Sequence, residues 1–302
     1  MSAPAYPLFV QSGREITAED VEYLKEVVRL CSGLSRGELA YTICEHWGWV
    51  TASGGPKLQA CLKLLAKLEA EGELRLPAKR PGGTQKHRRP EWTEQTAPRS
   101  EIAGPLAEVA PVTLEMVSGR QAKALWNEYV DRYHYLGYQR PFGCRVRYSV
   151  RCERGPLGCV LMAGAAKSLG VRDGWIGWSD QQRLRNLPWV INNTRFLLFP
   201  WVQVRHLASH VLGQLARRVR TDWEQRWGYQ PVLMETFVDP ARYRGISYQA
   251  AGWTLLGSTT GEGLRRPGCS YQTTPKLLYV RPLVRDFREQ LCSDRLKGRV
   301  SE

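Results

Sequence analysis

The stretch RFLLFPWV at residues 195–202 is short and apolar, and a long segment of helical periodicity and a second apolar stretch follow it. The first stretch predicts a buried strand. Residues 207–226 place apolar side chains at helical spacing, which predicts a long helix, and residues 231–238 predict another strand. Because strands that alternate with helices are typical of α/β domains, this part of the chain indicates the fold class.

The same alternation continues on both sides of this stretch. Apolar side chains at helical spacing from Ala122 to Tyr133 predict a helix near the start of the domain. The other predicted elements are strands at 145–152, 158–163, 253–257 and 276–282, and short helices at 180–186 and 243–251. The second part of the chain therefore reads as one α/β domain.

The N-terminal part begins with the signals of two helices. Thr17 is placed to cap a helix over residues 19–31, because its side chain precedes a run of apolar residues at helical spacing. Ser35 precedes a second helix, and Glu38 three residues later completes the pattern of a capping box. Both segments are therefore predicted to be helical from these residues onward.

A third helix and a basic segment complete the N-terminal part. Pro56 opens the predicted helix, residues 57–71, and a hairpin-like stretch at 73–77 follows it. The apolar stripe of this helix is predicted to be Leu58, Leu62, Leu65 and Leu68. Three helices followed by a basic wing are the order of a winged helix-turn-helix, which binds duplex DNA. The alternative is a winged helix that contacts protein.

These patterns divide the chain into three parts. Residues 1–83 are predicted to be a winged-helix DNA-binding domain. Residues 84–111 are rich in Pro, Gly, Thr and charge, without apolar periodicity, and are predicted to be a linker. Residues 112–302 are predicted to form the larger basic α/β domain.

The charge of the chain is strongly positive and unevenly distributed. There are 43 Lys and Arg against 29 Asp and Glu, a formal net charge of +14. Between Arg140 and Arg220 there are 14 basic and 3 acidic residues, and 13 of the basic ones are arginine. Because a guanidinium group matches phosphate with two hydrogen bonds, this block predicts a nucleic-acid partner rather than a general solubility charge.

The sequence argues against several other classes of protein. Its 8 cysteines form no CxxC pair and have no histidine at metal-binding spacing, so neither a disulfide framework nor a zinc site is predicted. No apolar run reaches the length of about 18 residues that a membrane span needs, and residues 1–10 lack the regions of a signal peptide. We therefore expect a cytoplasmic protein without membrane contacts.

One string in the second half carries a resemblance to a known fold. Tyr248-Gln249-Ala250-Ala251-Gly252-Trp253 is similar to the Tyr-x-x-x-Gly-aromatic signature of the GNAT acetyltransferases, and it follows the strand–helix–strand order above. The resemblance implies a GNAT-like mixed sheet, with coenzyme A held on a glycine-rich loop at a helix N terminus. This chain has Ala208 and His210 where that loop has glycines, so we expect that coenzyme A does not bind.

Four further strings carry a closer resemblance. They are WIGWS at 175–179, INNTRFL at 191–197, LASH at 207–210 and ETFVD at 235–239. Together they resemble the DruA family of the Druantia anti-phage system, whose relatives are often named transposases. The resemblance spans nearly the whole chain. It implies a role in phage defence or in a mobile element.

Two carboxylates are candidates for catalysis. Glu235 and Asp239 lie four residues apart at the end of a predicted strand, where the alternation of side chains places them on one face. Ligands of open α/β sheets gather at this end of the strands. Paired carboxylates hold Mg²⁺ in phosphodiester cleavage, and Asp180 is a candidate third ligand. The alternative is structural, with Glu235 paired to an arginine and Asp239 capping the next turn.

Histidine and tyrosine side chains add to this candidate site. His206 and His210 share one helix face, and with His134 they are candidates for a general-base or metal cluster. Tyr248 is a candidate general acid, or a nucleophile that needs activation because the pKa of free tyrosine is about 10. The alternatives are helix capping and core packing. The site as a whole is predicted to be one cleft lined by Glu235, Asp239, His210 and Tyr248.

Two groups of residues are candidates for contacts with nucleic acid. The first, on the predicted winged helix, comprises Lys57, Lys63, Lys67, Lys79 and Arg80. The second, in the basic domain, comprises Asn192, Asn193, Arg195 and Arg205. Trp178, which lies among arginines, is a candidate for stacking on unpaired bases. The alternatives are a turn at the two asparagines and a core position for the tryptophan.

These residues leave three functions open for a DNA-acting protein. The first is strand processing by a Mg²⁺-dependent nuclease or transposase that uses Glu235 and Asp239. The second is non-catalytic DNA recognition beside a helicase, a nuclease or other defence proteins, with duplex DNA on the winged helix and single strands on the basic domain. The third is acyl transfer by a divergent acetyltransferase, against which the missing glycines count.

Overall fold

The computed structural model describes residues 8–31, 34–51, 55–78, 89–139, 141, 143–261 and 274–293. Two candidate DNA contacts, Lys79 and Arg80, lie outside these residues. The chain divides into two compact units, each of which is described by itself. The N-terminal unit comprises residues 1–84, 142–144 and 264–271, and the C-terminal unit comprises residues 85–141, 145–263 and 272–302.

The N-terminal unit contains a short antiparallel hairpin followed by three helices. The elements are β1 (Phe9–Gln11), β2 (Arg14–Ile16), α1 (Ala18–Leu30), α2 (Arg36–His46) and α3 (Leu58–Ala70). Two reciprocal capping boxes begin the first two helices, as predicted. The side chain of Thr17 accepts a hydrogen bond from the backbone N–H of Asp20, and the side chain of Asp20 accepts one from the backbone N–H of Thr17. Ser35 and Glu38 form the same pair of hydrogen bonds at the start of α2. These bonds satisfy backbone donors that have no partner inside the helix.

Two predictions for this unit are wrong in detail. The buried side chains of α3 are Cys61, Leu64, Leu65 and Leu68, whereas Leu58 and Leu62 of the predicted stripe are only half-buried. The stretch 73–77 is not a strand. The N–H of Glu73 donates to the carbonyl of Leu68, and the N–H of Leu76 donates to the carboxylate of Glu69, so the segment folds back along α3. The winged-helix assignment stays a prediction.

The C-terminal unit is built around one large sheet. Its strands are β3 (Ile102–Gly104), β4 (Thr113–Met116), β5 (Arg145–Cys152), β6 (Gly155–Gly164), β7 (Val190–Leu198), β8 (Val202–Val204), β9 (Leu233–Val238), β10 (Thr254–Ser258) and β11 (Leu277–Pro282). Its helices are α4 (Leu106–Val109), α5 (Arg120–Tyr133), α6 (Gly170–Ile176), α7 (Asp180–Asn186), α8 (Leu207–Trp227), α9 (Ile246–Ala250) and α10 (Phe287–Leu291). The predicted elements of this part are present, with small shifts of their ends.

The sheet is mixed, which confirms the predicted α/β class. The seven strands lie in the order β10-β11-β9-β7-β6-β5-β4, and β3 pairs with β8 in a separate parallel pair. All neighbours in the large sheet are antiparallel except β7 and β9, which are parallel and joined through α8. A parallel pair requires such a crossover, because its second strand must start from the same end as the first.

Strands β7 and β9 diverge soon after they begin. Their parallel register covers only three residues on each strand, Val190–Asn192 opposite Leu233–Glu235. Beyond this point β7 continues to Leu198 and β9 to Val238 without pairing to each other. The separation opens a gap in the middle of the sheet.

The crossover helix α8 closes one side of the sheet. It buries Leu215, Val219 and Trp223, which have no exposed surface. At an apolar coefficient of about 25 cal/mol per Å², each such side chain contributes roughly 1.5–3 kcal/mol of burial free energy. No helix among the described residues, α8 included, is both long and apolar enough to span a membrane.

The boundaries of β7 differ from the prediction. The expected strand was residues 195–202, whereas β7 begins at Val190, and residues 202–204 form the separate strand β8. The segment Asn192-Asn193 suggested a turn, but it pairs with Ala163 and Met162 inside the sheet. The Asn193 amide donates to the carbonyls of Leu161 and Arg195, so tertiary hydrogen bonds allow an asparagine to lie in a buried strand.

Candidate functional site

Glu235 forms a buried ion pair on β9. Its side chain and that of Arg172 on α6 are both fully buried, and Oε2 accepts from Nη1 of the guanidinium at 2.8 Å. The second carboxylate oxygen, Oε1, accepts from the backbone N–H of Ala166 at 2.8 Å. Both oxygens are therefore engaged within the protein, which matches the structural alternative for this residue.

The ion pair belongs to a larger network that holds α6 against β9. Arg172 also contacts Asp173 at 2.8 Å and donates to the carbonyl of Ala166. Burial lowers the pKa of Arg172, but the charges of Glu235 and Asp173 outweigh burial and raise it overall. Trp178 is buried and donates its indole N–H to Asp173, so it does not present a free ring for stacking. The stacking prediction for this tryptophan is not supported by its position.

The structure does not bring the three predicted metal ligands together. Asp239 pairs with Lys276 at 2.7 Å and accepts from the N–H of Ala241, which is the turn-capping alternative. Asp180 is 91% exposed and pairs with Arg183 on its own helix. Among the residues that the structure describes, no three His, Cys, Asp or Glu side chains are grouped to hold a metal ion. We therefore derive no metal-dependent step from these carboxylates.

A cleft of about 540 Å³ lies where β7 and β9 diverge. It is lined by side chains of both strands, by the segment after α5, by the start of α8 and by the loop between β9 and α9. Among its lining residues are Tyr133, His134, Tyr135, Leu136, Asn193, Phe196, Ala208, Thr236, Phe237, Asp239, Arg242, Tyr243, Arg244 and Tyr248. Of the four residues predicted to share one cleft, Asp239 and Tyr248 line it, and Glu235 and His210 do not.

Tyr248 contributes a protonated hydroxyl to this cleft. The hydroxyl donates to Oδ1 of Asn193 at 2.8 Å, and the ring stacks on Tyr279 with centroids 5.9 Å apart. Burial raises the pKa of Tyr248 above its usual value, so the phenol keeps its proton at neutral pH. Among the described residues, this side chain contacts Asn193 and Tyr279, neither of which is a base, so the geometry does not favour Tyr248 as a nucleophile.

The three histidines do not form a cluster. His210 lies on α8, and its Nε2 hydrogen-bonds with the side-chain amide of Gln214 one turn further along the helix. His206 is the exposed N-cap residue of α8, with a φ of 63°. His134 alone lines the cleft. The four-residue spacing predicted that His206 and His210 share one face of a helix. His206 instead lies at the N-cap with a left-handed backbone, so its side chain does not continue that helix face.

The candidate contacts to nucleic acid divide into engaged and exposed side chains. In the C-terminal unit, Asn192 and Asn193 are buried, and Arg195 donates to the carbonyls of Gly137 and Thr194. The burial of the two asparagines argues against direct contacts with a DNA strand. Arg205, in contrast, is exposed. In the N-terminal unit, the exposed or half-exposed lysines on or just before α3 are Lys57, Lys63 and Lys67.

Two exposed tyrosines at the mouth of the cleft did not figure among the sequence candidates. Tyr135 is 37% exposed and Tyr243 is 55% exposed, and their ring centroids are 5.9 Å apart. The guanidinium of Arg242 lies over the ring of Tyr135 at 4.8 Å. The only sequence signal was the aromatic run YHYLGY at 133–138, which interrupts a helix. Its partners come from a loop over a hundred residues away in the chain.

Comparisons with known proteins give some similar solved structures and one matching family model. A search of the curated proteins finds no match. Among solved structures, the aminoglycoside acetyltransferase AAC(6')-Ib with coenzyme A and kanamycin is 20% identical, with a TM-score of 0.37, over 60% of this chain and 99% of that chain. A Bacillus subtilis acetyltransferase with coenzyme A is 8% identical, with a TM-score of 0.34, over 57% of this chain and 99% of that chain.

The family comparison is more specific. The family model described as Druantia protein DruA matches residues 68–267, which is more than half of the chain. The matched segment includes β7, α8, β9 and α9, and it contains every residue that lines the cleft. It contains the four strings on which the sequence resemblance rests. The chain belongs to the DruA family.

Proposed function

We propose that this chain is a nucleic-acid recognition component of a Druantia anti-phage system, and that the C-terminal unit holds DNA on its basic surface. The observation that carries the proposal is a cluster of cations around Lys123, in which Arg147 donates to neutral acceptors. Like charges close together repel, and a phosphate backbone relieves that repulsion.

One cation cluster surrounds Lys123 on α5. Desolvation lowers the pKa of Lys123, and the positive charges of Arg226, Arg147 and Arg145 lower it further. The guanidinium of Arg147 donates to the amide oxygen of Asn127 and to the hydroxyl of Tyr138, which are neutral acceptors. The guanidinium of Arg226 lies over the ring of Trp227 at 4.3 Å. The cluster keeps its positive charge in these contacts.

A second group of cations lies near the start and middle of α8 and beside the cleft. Within the described part of the chain, Arg205, Arg217 and Arg244 form no ion pair within 4.0 Å, and all three are exposed. Desolvation lowers the pKa values of His210 and Arg281, and the positive charge of Arg217 lowers both further. Exposed arginines without acidic partners suit phosphate contacts.

The proposal assigns recognition of nucleic acid to this chain, rather than cleavage of a DNA strand. Glu235, the first candidate for metal binding, has both carboxylate oxygens occupied by Arg172 and Ala166. The carboxylate is fully buried and its charge is paired with Arg172, so a metal ion would have to displace the guanidinium group. The cleavage step of a defence complex would then belong to another subunit.

Salt dependence tests the basic surface. Replacing both Lys123 and Arg226 by alanine is expected to weaken duplex DNA binding and to flatten the slope of log K against log salt. The change in slope should be about 0.9 for each phosphate that the variant no longer neutralises. Fluorescence anisotropy of a labelled duplex at several salt concentrations measures this slope.

The matched control is Arg151→Ala. This arginine is also exposed, but it pairs with Glu115 at 3.9 Å, so its charge is already compensated. We expect its slope to equal that of the parent protein. A double variant at Lys123 and Arg226 that binds with the parental slope would remove this surface from the interface.

One observation favours acyl transfer as a second candidate. The cleft lies between diverging strands, and the start of α8 and the hydroxyl of Tyr248 both border it. His206 at the N-cap of α8 has a left-handed backbone conformation, which glycine adopts most readily. The resemblance implies that a phosphate would approach the backbone here, and the Cβ atoms of His206 and Ala208 would obstruct it.

Binding of coenzyme A separates the two candidates. We expect isothermal calorimetry with coenzyme A or acetyl-coenzyme A to show no binding at about 100 µM ligand, since the phosphate approach at Ala208 is narrowed by its Cβ. A Kd in the micromolar range would overturn this expectation and favour acyl transfer. Transfer of the acetyl group to an amine acceptor would then be the activity to measure.

A further inference from the structure

We propose that the mouth of the cleft is a stacking site for an unpaired nucleobase of a single DNA strand. The inference rests on the proposed function, because the basic surface brings the strand to the cleft. It adds a specific element: one base leaves the stack of its neighbours and lies against Tyr135 and Tyr243.

The two tyrosine rings provide the stacking surface. They lie on different segments, one directly after α5 and one in the loop between β9 and α9. Their centroids are 5.9 Å apart and their planes are inclined by 56°, so the two rings are not stacked on each other. His134 stacks on Tyr135 and Arg242 lies over the same ring, so the base lies on the more exposed ring of Tyr243, with Tyr135 beside it. Together with Leu136 and Ile246, which are 51% and 56% exposed, they are the large apolar side chains exposed at this mouth. Every base offers a flat face to such rings, at about 1–3 kcal/mol per stacked base.

The charges at the mouth favour a phosphodiester-linked ligand. Arg242 lies over the ring of Tyr135 at 4.8 Å, and Arg244 is exposed on the same loop. Asp239 is the acidic residue that lines the cleft, and Lys276 neutralises it at 2.7 Å. A stacked base therefore places its phosphates beside uncompensated guanidinium groups, as single-strand binding sites do.

His134 supplies a hydrogen-bond donor for the edge of the base. Burial and the charge of Arg195 lower the pKa of His134 to about 4, so the ring is neutral at physiological pH. Its Nδ1 accepts from the N–H of Leu136 at 3.2 Å, which leaves the ring proton on Nε2. The ring also stacks on Tyr135, with centroids 4.9 Å apart. The Nε2–H group is thus a fixed donor beside the stacking surface.

The size and position of the cleft favour an unpaired base. Its volume of about 540 Å³ falls within the range of about 300–1,000 Å³ that is usual for small-ligand sites. A base pair inside a duplex cannot reach rings on the border of a cleft, because its faces are covered by neighbouring pairs. A base in a single strand has already lost that cover, so it binds at lower cost.

A fluorescent base tests this site in the full-length chain. The probe is a single-stranded DNA oligonucleotide carrying 2-aminopurine between two abasic sites. Neighbouring bases then do not quench its emission, which falls when the base stacks on an aromatic ring. We expect quenching on binding to the parent protein. Tyr243→Leu should abolish most of the quenching and weaken single-strand binding about tenfold, a loss of roughly 1.4 kcal/mol. Tyr243→Phe should retain both, because the ring remains.

Two controls make the outcome specific. Trp92→Leu removes a side chain that is 59% exposed elsewhere in the same unit, and we expect parental quenching. Duplex DNA binding by Tyr243→Leu should equal that of the parent, because the basic surface is intact. The stacking site is overturned if Tyr243→Leu and the parent show equal affinity for single-stranded DNA and equal quenching. If both proteins still bind duplex DNA, the proposed function stands.

A different result would affect the proposed function itself. If neither single-stranded nor duplex DNA binds the parent chain at low salt, the basic surface is not a DNA-binding site. A third arm uses the free nucleotide dAMP as competitor. We expect millimolar dAMP to leave quenching of the strand unchanged, since the strand adds phosphate contacts. Displacement of the strand by micromolar dAMP would reassign the site to free nucleotides and overturn the single-strand proposal.

Discussion

Replacing Glu235 by alanine is expected to lower the free energy of unfolding by about 3–5 kcal/mol, because it leaves the guanidinium of Arg172 buried without its partner. The remaining contact of Arg172 with Asp173 offsets part of this cost. Glu235→Gln keeps the shape and the acceptor for the N–H of Ala166, so its cost should be smaller, about 1–3 kcal/mol. Urea denaturation of the purified chain measures both values.

A matched surface variant shows that burial is the cause. Glu115→Ala also removes a carboxylate from an ion pair with arginine, but its side chain is 60% exposed and the distance is 3.9 Å. We expect a change below about 1 kcal/mol for this variant. Removing Arg172 together with Glu235 should cost less than the sum of the two single changes, since no charge is then left unpaired.

This experiment also decides between the structural and catalytic roles of Glu235. A Glu235→Gln protein that is as stable as the parent but gives no phage resistance would restore the catalytic role. A protein that is less stable, yet keeps DNA binding at low temperature, agrees with the buried pair. Parental stability together with full resistance contradicts both roles.

Replacing Gly245 by alanine is expected to lower the free energy of unfolding by about 2–5 kcal/mol. The residue has a φ of 74°, where a side chain costs about 1–2 kcal/mol, and its Cβ would collide with the hydroxyl group of Tyr279. The ring of Tyr279 cannot easily move, because it is 1% exposed and stacks on Tyr248. The overpacking adds about 1–3 kcal/mol. Thermal melts of the variant measure the loss.

The same change is expected to weaken binding of single-stranded DNA. The loop that ends at Gly245 carries Arg242 and Tyr243, so a displaced backbone moves both away from Tyr135. Gly174→Ala is the control, because its Cβ would meet nothing within 4 Å and alanine is favoured in the helix α6. We expect it to melt at or above the parental temperature. A Gly245→Ala protein with parental stability and affinity would show that the loop tolerates the side chain.

Local sequence signals were sufficient for most of the elements. The capping boxes at Thr17 and Ser35 were predicted correctly because both partners lie within three residues of each other. The α/β class followed from strands that alternate with helices. The prediction of β7 began five residues late, because Asn192 and Asn193 are turn formers locally, and the hydrogen bonds of the Asn193 amide to Leu161 and Arg195 form only in the folded sheet.

The candidate site depended on contacts that no local pattern contains. From the sequence alone, Glu235 and Asp239 were equivalent carboxylates on one strand face, and the family resemblance and the basic block were already visible. Only the tertiary structure decided that Glu235 meets Arg172, 63 residues earlier in the chain, and that Asp239 meets Lys276. It also placed Tyr135 beside Tyr243, since the separation of β7 from β9 brings distant loops to one cleft. Periodicity reports which face a side chain takes, whereas its partner depends on how the whole chain packs.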